Sequence, residues 1–99
     1  MGASNQYQLI ITQEASDDIF DLHGFYEEMQ IGLGDEFMDA VGNCLLDIEE
    51  NPYHWQYAYS RHERIRRALI RKPPVVILYE VENTNIYIGR VKDTRSNWQ

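Results

Sequence analysis

The first sixty residues contain no lysine and no arginine. They hold twelve Asp and Glu, a formal charge of −12, so an anionic partner would have to be met by the rest of the chain. Other scarcities narrow the class. One cysteine, Cys44, cannot make an internal disulfide, and its neighbours Leu45, Leu46 and Ile48 mark it as a buried thiol rather than a nucleophile. No apolar run approaches membrane-spanning length and no charged-then-apolar leader opens the chain, which points to a reducing cytoplasm and to no membrane. No His/Cys cluster has metal-ligand spacing. The Gly32-Leu33-Gly34 step is too short for a nucleotide loop and follows no strand, so neither metal nor cofactor is expected.

What the first part lacks, the second holds. Residues 61–99 carry all nine basic side chains against Glu63, Glu80, Glu82 and Asp93, a formal +5 that leaves the whole at −7. Six of the nine lie between Arg61 and Lys72. Either this strip meets an anionic partner or it neutralises the acidic half in the folded state. With 99 residues, 43% hydrophobic, the chain has enough apolar matter for one folded domain, expected over 7–98, and too little for two. Residues 1–6 are small and polar and read as a disordered lead-in.

Periodicity predicts the elements. Tyr7–Thr12 (YQLIIT) reads as a strand. Apolar residues then recur at Ala15, Ile19, Leu22, Tyr26 and Met29, and again at Phe37, Val41, Leu45 and Ile48, the spacing of two amphipathic helices joined at Gly32-Leu33-Gly34, with Asp35 placed to cap the second. Asn51-Pro52 ends that helix, and Tyr53–Ser60 reads as an aromatic loop lying on the body, with base stacking a lesser possibility. Three strands follow at Arg64–Ile70, Val75–Val81 and Ile86–Lys92, separated by Pro73-Pro74 and by Glu82-Asn83-Thr84-Asn85. Such short connections favour an antiparallel meander, and the unbroken apolar run Val75–Leu78 makes its middle strand central and buried on both faces. The fold class is α+β, a strand and a helical hairpin followed by a three-stranded meander, with one layer of helices on the sheet. Which edge of the meander the first strand joins is left open.

Alternation divides the basic strip. His62, Arg64, Arg66, Ala68 and Ile70 point one way, and Glu63, Ile65, Arg67 and Leu69 the other. Ile65 and Leu69 assign the second set to the helices, so Arg64 and Arg66 are expected on the open face. Arg67 then leaves the core at an edge or pairs with a helix carboxylate.

The order of elements, with "ASDDIFDLHGFYEE" in the first helix, "GLGDEF" at the joint, "LLDIEENP" closing the second helix, "IRRALIRKPP" entering the central strand, "VVILYEV" and the terminal "VKDTRSNW", resembles the RelE/ParE superfamily of small toxins from type II toxin–antitoxin (plasmid stabilisation) systems. The likeness runs over about residues 7–98. Many relatives have Phe-Pro-Tyr where this chain has Pro73-Pro74-Val75, and a His near the position of Asp93. Two potentially functional rings are therefore missing.

The RelE side of the resemblance implies a metal-independent, ribosome-dependent endoribonuclease acting on mRNA. Cleavage through the 2′-hydroxyl needs a base, cations for the charge developing on phosphorus, and a proton donor for the leaving oxygen. Arg66, Arg67, Arg71, Lys72 and Arg95 are the candidate cations. The candidate bases are His62, Asp93 and Tyr79, whose plainer roles are a surface residue, an ion-pair partner of Arg95 or a turn residue, and a core residue; His23 and His54 have less support. The ParE side implies inhibition of growth by binding DNA gyrase without RNase chemistry, and it tolerates both the missing rings and a net charge unsuited to unassisted RNA approach. A third class is a non-toxic interaction module on the same fold. The resemblance also implies a cognate antitoxin protein. Val75–Val81 has apolar side chains on two faces and one helical hairpin to cover them, so an antitoxin segment or loop 53–60 must cover the remainder. For antitoxin or target binding the candidates are Arg64, Arg66, Arg71, Lys72 and Arg95.

Overall fold

Thr12 sets the first corner of the molecule. Its hydroxyl accepts from the Ala15 N–H at 3.2 Å, capping the first helix, and donates to the Ile88 carbonyl at 2.8 Å, tying that helix start to the last strand. In the computed structural model, which describes residues 6–59 and 63–96, the order is β1 (Gln8–Ile11), α1 (Gln13–Met29), α2 (Leu33–Glu50), β2 (Ile65–Ile70), β3 (Val75–Glu82) and β4 (Asn85–Asp93). Of the expected lead-in, residues 1–5 lie outside the described residues, as do His62 and the end of the aromatic loop at Ser60.

The turn between the helices differs from expectation. Asp35 does not cap α2; it lies within the first turn, 3.5 Å from His23. The cap position is Gly32, at a φ of 92° that an L side chain rarely adopts. The N–H groups of Gly32 and Gly34 are instead taken by the two oxygens of Glu27, each at 3.0 Å. A carboxylate from the preceding helix thus replaces a local cap, satisfying orphan donors and complementing the positive helix end.

The sheet order is β1-β4-β3-β2. β3 runs antiparallel to both neighbours, and β1 joins β4 in parallel, from Gln8 opposite Asn85 to Ile11 opposite Ile88, which settles the open edge. Five consecutive residues of β3, Val75–Tyr79, are buried. Val75, Ile77, Tyr79 and Val81 join Ile86, Ile88 and Val91 of β4 against Tyr26, Phe37, Val41 and Ile48 of the helices. Cys44 belongs to this core, where burial pushes its thiol up to about 11. Val76 and Leu78 are buried too, outside that cluster, on the opposite face. Met29, expected in the stripe of α1, is exposed.

The facing of β2 is the reverse of the expectation. Ala68 is fully buried in the core with Ile70 packed against it, so Arg64 and Arg66 share the helix side, while Leu69 is 46% exposed with Ile65 and Arg67 on the other face. The loop explains how a cation comes to lie there. Tyr57 bridges Arg66 along the edge of β2, and the Arg66 guanidinium donates to the Trp55 carbonyl at 2.6 Å and lies over the rings of Tyr57 and Tyr53, 4.2 and 5.1 Å from their centroids. Aromatic faces and a carbonyl replace the solvent the guanidinium leaves.

Candidate functional site

The structure does not bring the candidate residues to one centre. Arg66 and Tyr79 are cross-strand partners beneath the 52–57 loop. Asp93 lies in the row of Val75 and Ile70, at the end of the sheet where the 71–74 turn and the exit of β4 meet; the Thr94 N–H donates to the Pro74 carbonyl there. Arg71, Lys72 and Arg95 belong to this same end.

Each candidate base on the described chain is already committed. Asp93 is buried on the helix side of β4. It accepts from the Tyr26 hydroxyl at 2.5 Å and from Arg95 through Nε at 2.9 Å, Nη2 at 2.6 Å and the backbone N–H at 2.8 Å. The Arg95 guanidinium draws its carboxyl down to about 2 against the opposing effect of burial, and the Tyr26 bond adds to the shift. A carboxylate so weakly basic removes few protons near neutrality. Tyr79 is equally tied: its hydroxyl donates to the Pro52 carbonyl at 2.6 Å, and burial raises its pKa well above the ordinary phenol value. The plainer roles foreseen for both, ion-pair partner of Arg95 and core residue, describe their contacts.

Tyr26 is the member of this group that sequence reasoning took for a simple apolar position. A signal was available, since a buried tyrosine needs a partner for its hydroxyl. The partner is 67 positions away, too far for any local pattern to name.

The remaining cations divide by whether anything answers them. Arg90 gives Asp18 two hydrogen bonds, at 2.8 and 3.2 Å; Lys92 stands 3.5 Å from the same carboxylate, and the Val91 N–H donates to it at 2.9 Å. Burial alone would raise the Asp18 pKa, but Arg90, Val91 and Lys92 together hold it below the usual value. Arg64 donates to the Val81 carbonyl at 2.8 Å and lies 3.7 Å from Glu80. Arg67, Arg71 and Lys72 have no side-chain hydrogen bond or ion pair among the described residues. Of the two placements expected for Arg67, it lies on the edge strand β2 and meets no helix carboxylate among the described residues.

The open face carries a cleft of about 310 Å³ lined by Tyr59, Ile65, Leu78 and Tyr87 together with Glu14, Glu80 and Arg90. Its polar groups are of both signs, which suits a peptide surface better than a run of phosphates.

The matching family profile is that of the ParE toxin of type II toxin–antitoxin systems, parDE, over residues 9–98. The chain belongs to the ParE toxin family. Among solved structures, a chain from the chromosomal ParDE toxin–antitoxin system of P. aeruginosa superposes with a TM-score of 0.77 at 14% identity, over 91% of this chain and 98% of that one. A conserved hypothetical protein of Helicobacter pylori superposes at 0.60 with 17% identity, over 91% and 97%. Among curated proteins none matches by sequence. These superpositions show the shared α+β fold, which is that of the RelE/ParE superfamily. No helix among the described residues is long and apolar enough to cross a membrane.

Proposed function

We propose that this ParE-family chain is the toxin of a type II toxin–antitoxin pair, acting in the cytoplasm by binding a cellular target, DNA gyrase in the first place, and restrained by a small antitoxin. The observation that carries the reading is the state of Asp93. The group at the end of the last strand that an RNase would need as a base is buried under Tyr26 and Arg95 and held at about 2. Tyr79 and Arg66 are likewise engaged by Pro52 and Trp55. A net charge of −7 also opposes approach to RNA. Binding needs none of these groups free, since cations on a folded surface suffice to steer and orient a protein partner.

The test is induced expression without antitoxin, following translation and DNA integrity in parallel. Gyrase-bound DNA breaks preceding any loss of translation are the expected result. Rapid arrest with cleaved ribosome-bound mRNA and intact DNA would overturn it, and would return Asp93 or His62 as general base with Arg66, Arg67, Arg71, Lys72 or Arg95 as charge stabiliser. Growth unaffected by either route would mark a non-toxic interaction module.

A further inference from the structure

The edge of β2 is paired for only part of its length. The Ala58 N–H donates to the Ile65 carbonyl at 2.8 Å, and the Arg67 N–H to the Gln56 carbonyl at 3.0 Å. The loop strand stops there. Because odd-numbered residues of β2 direct their backbone groups away from β3, the next outward pair is the N–H and C=O of Leu69, which have no backbone partner among the described residues. Where the loop leaves the edge, a cavity of about 370 Å³ opens between His54, Trp55, Gln56, Arg67 and Leu69. The half-exposed Leu69 forms part of its wall. Arg67 beside it, and Arg71 and Lys72 just beyond, are the cations to which no carboxylate among the described residues replies.

We infer that the Arg67–Arg71 edge of β2 is a docking site for an extended acidic peptide segment, which adds a strand to the sheet, places an apolar side chain between Trp55 and Leu69, and sets carboxylates against Arg67, Arg71 and Lys72. Three independent features meet on this occupant. The bare Leu69 amide and carbonyl ask for a backbone in extended form, the cavity asks for an alternating apolar side chain, and the charge selects carboxylates. A second copy pairing edge to edge would bring Arg67, Arg71 and Lys72 against their own counterparts, and like charges facing across strands are destabilising. If the chain is the toxin read above, its antitoxin is the natural donor of the segment; the docking chemistry stands on the edge itself.

The experiment uses the full chain, isotope-labelled, and a short synthetic peptide alternating Glu with Val or Leu, beside the same peptide with Lys for Glu. The Glu peptide is expected to protect the Leu69 amide from exchange, to shift signals of residues 65–71, and to bind more weakly as salt rises. Leu69→Pro deletes the outward donor at an edge position that tolerates proline, while Leu69→Thr keeps it. The first should lower affinity on the order of tenfold or more and the second far less, since main-chain bonds supply the affinity in strand addition. Arg71→Glu with Lys72→Glu should also weaken binding. Equal binding of the Lys peptide, signal changes at β1 instead of β2, no binding at all, or an unaltered Leu69→Pro variant would each overturn the assignment and leave the cations as guards against edge pairing. Should Leu69→Pro not fold, protection of the Leu69 amide in the unaltered chain decides. In cells, growth arrest relieved equally well by the co-encoded partner in the Leu69→Pro chain would overturn this edge while leaving the toxin reading intact.

Discussion

The two sides of the sheet end their hydrogen-bond ladders in opposite ways. β1 runs out opposite Ile88, and beside Val91 its place is taken by the Asp18 carboxylate, which binds the Val91 N–H and is answered by Arg90 and Lys92. Two residues further along β4, Asp93 is closed in by Arg95 and Tyr26. On β2 the loop strand runs out at Arg67, and no described group takes the next position. Sealing consumes charge: every described cation on the β4 side is paired, and the three unpaired ones sit on or just beyond β2. The basic strip is therefore not one functional patch. Arg64 and Arg66 are engaged within the fold, and Arg67, Arg71 and Lys72 are left without a side-chain hydrogen bond or ion pair among the described residues.

The comparison is broken most severely at Asp93. Asp93→Ala leaves the Tyr26 hydroxyl buried without an acceptor and Arg95 without its carboxylate, and should cost about 3 kcal/mol of unfolding free energy. Urea denaturation measures it; a loss below about 1 kcal/mol would mean that the cluster is more solvated than its burial implies. Acid tests the same group without mutation. Its folded pKa of about 2 lies below the roughly 3.9 of an unfolded Asp, so its stabilisation is complete above pH ~4 and is lost as pH falls through ~2. On the order of 2 kcal/mol should disappear across that window, with Asp18 acting in the same direction. Asp93→Asn should flatten the decline, and a parent and variant of equal slope would contradict the assignment.

At the sealed edge itself the effect is smaller. Asp18→Ala removes the acceptor for Val91 and the counter-charge of Arg90 and Lys92, groups that retain some access to water, so about 1–2 kcal/mol is expected. Amide exchange at Val91 reports it site by site. Faster exchange there, with β3 unchanged, is the expected pattern; uniform acceleration across the sheet would show that Asp18 supports the fold globally rather than sealing one position.

Residues whose chemistry is local were legible before the structure. Steps of three and four fixed both helices, and the unbroken apolar run of β3 foretold its burial on two faces. Contacts assembled from afar were not. Nothing near Tyr26 names Asp93, and nothing near Asp18 names Val91. The facing of β2 departs from expectation for a physical reason: Ile65 and Leu69 form one apolar pair and Ala68 and Ile70 another, and it is the second that faces the core, because Tyr53 and Tyr57 give Arg66 a place on that side. Two cations counted as outward are thereby engaged, while Arg67, expected either to leave at an edge or to meet a helix carboxylate, lies on the edge strand with no ion pair among the described residues. Charge counts in sequence cannot separate these cases, since an arginine against two rings and an arginine in water read alike.

The smallest effect on stability is expected where the comparison predicts the largest effect on binding. Arg71→Glu with Lys72→Glu alters exposed residues beyond the end of β2 that hold no ion pair among the described residues, so unfolding free energy should change by less than about 0.5 kcal/mol. Charge reversal at the same positions places carboxylates opposite an acidic strand and should cost on the order of tenfold or more in its affinity, with weaker dependence on salt. Arg64→Glu is the control at an engaged cation, because it reverses a charge just before the same strand but breaks the bonds to Val81 and Glu80. It should lower stability measurably and change partner affinity less. A pair of variants behaving the other way round, with Arg64 governing affinity and Arg71 and Lys72 governing stability, would show that pairing within the chain does not distinguish structural from functional cations in this fold.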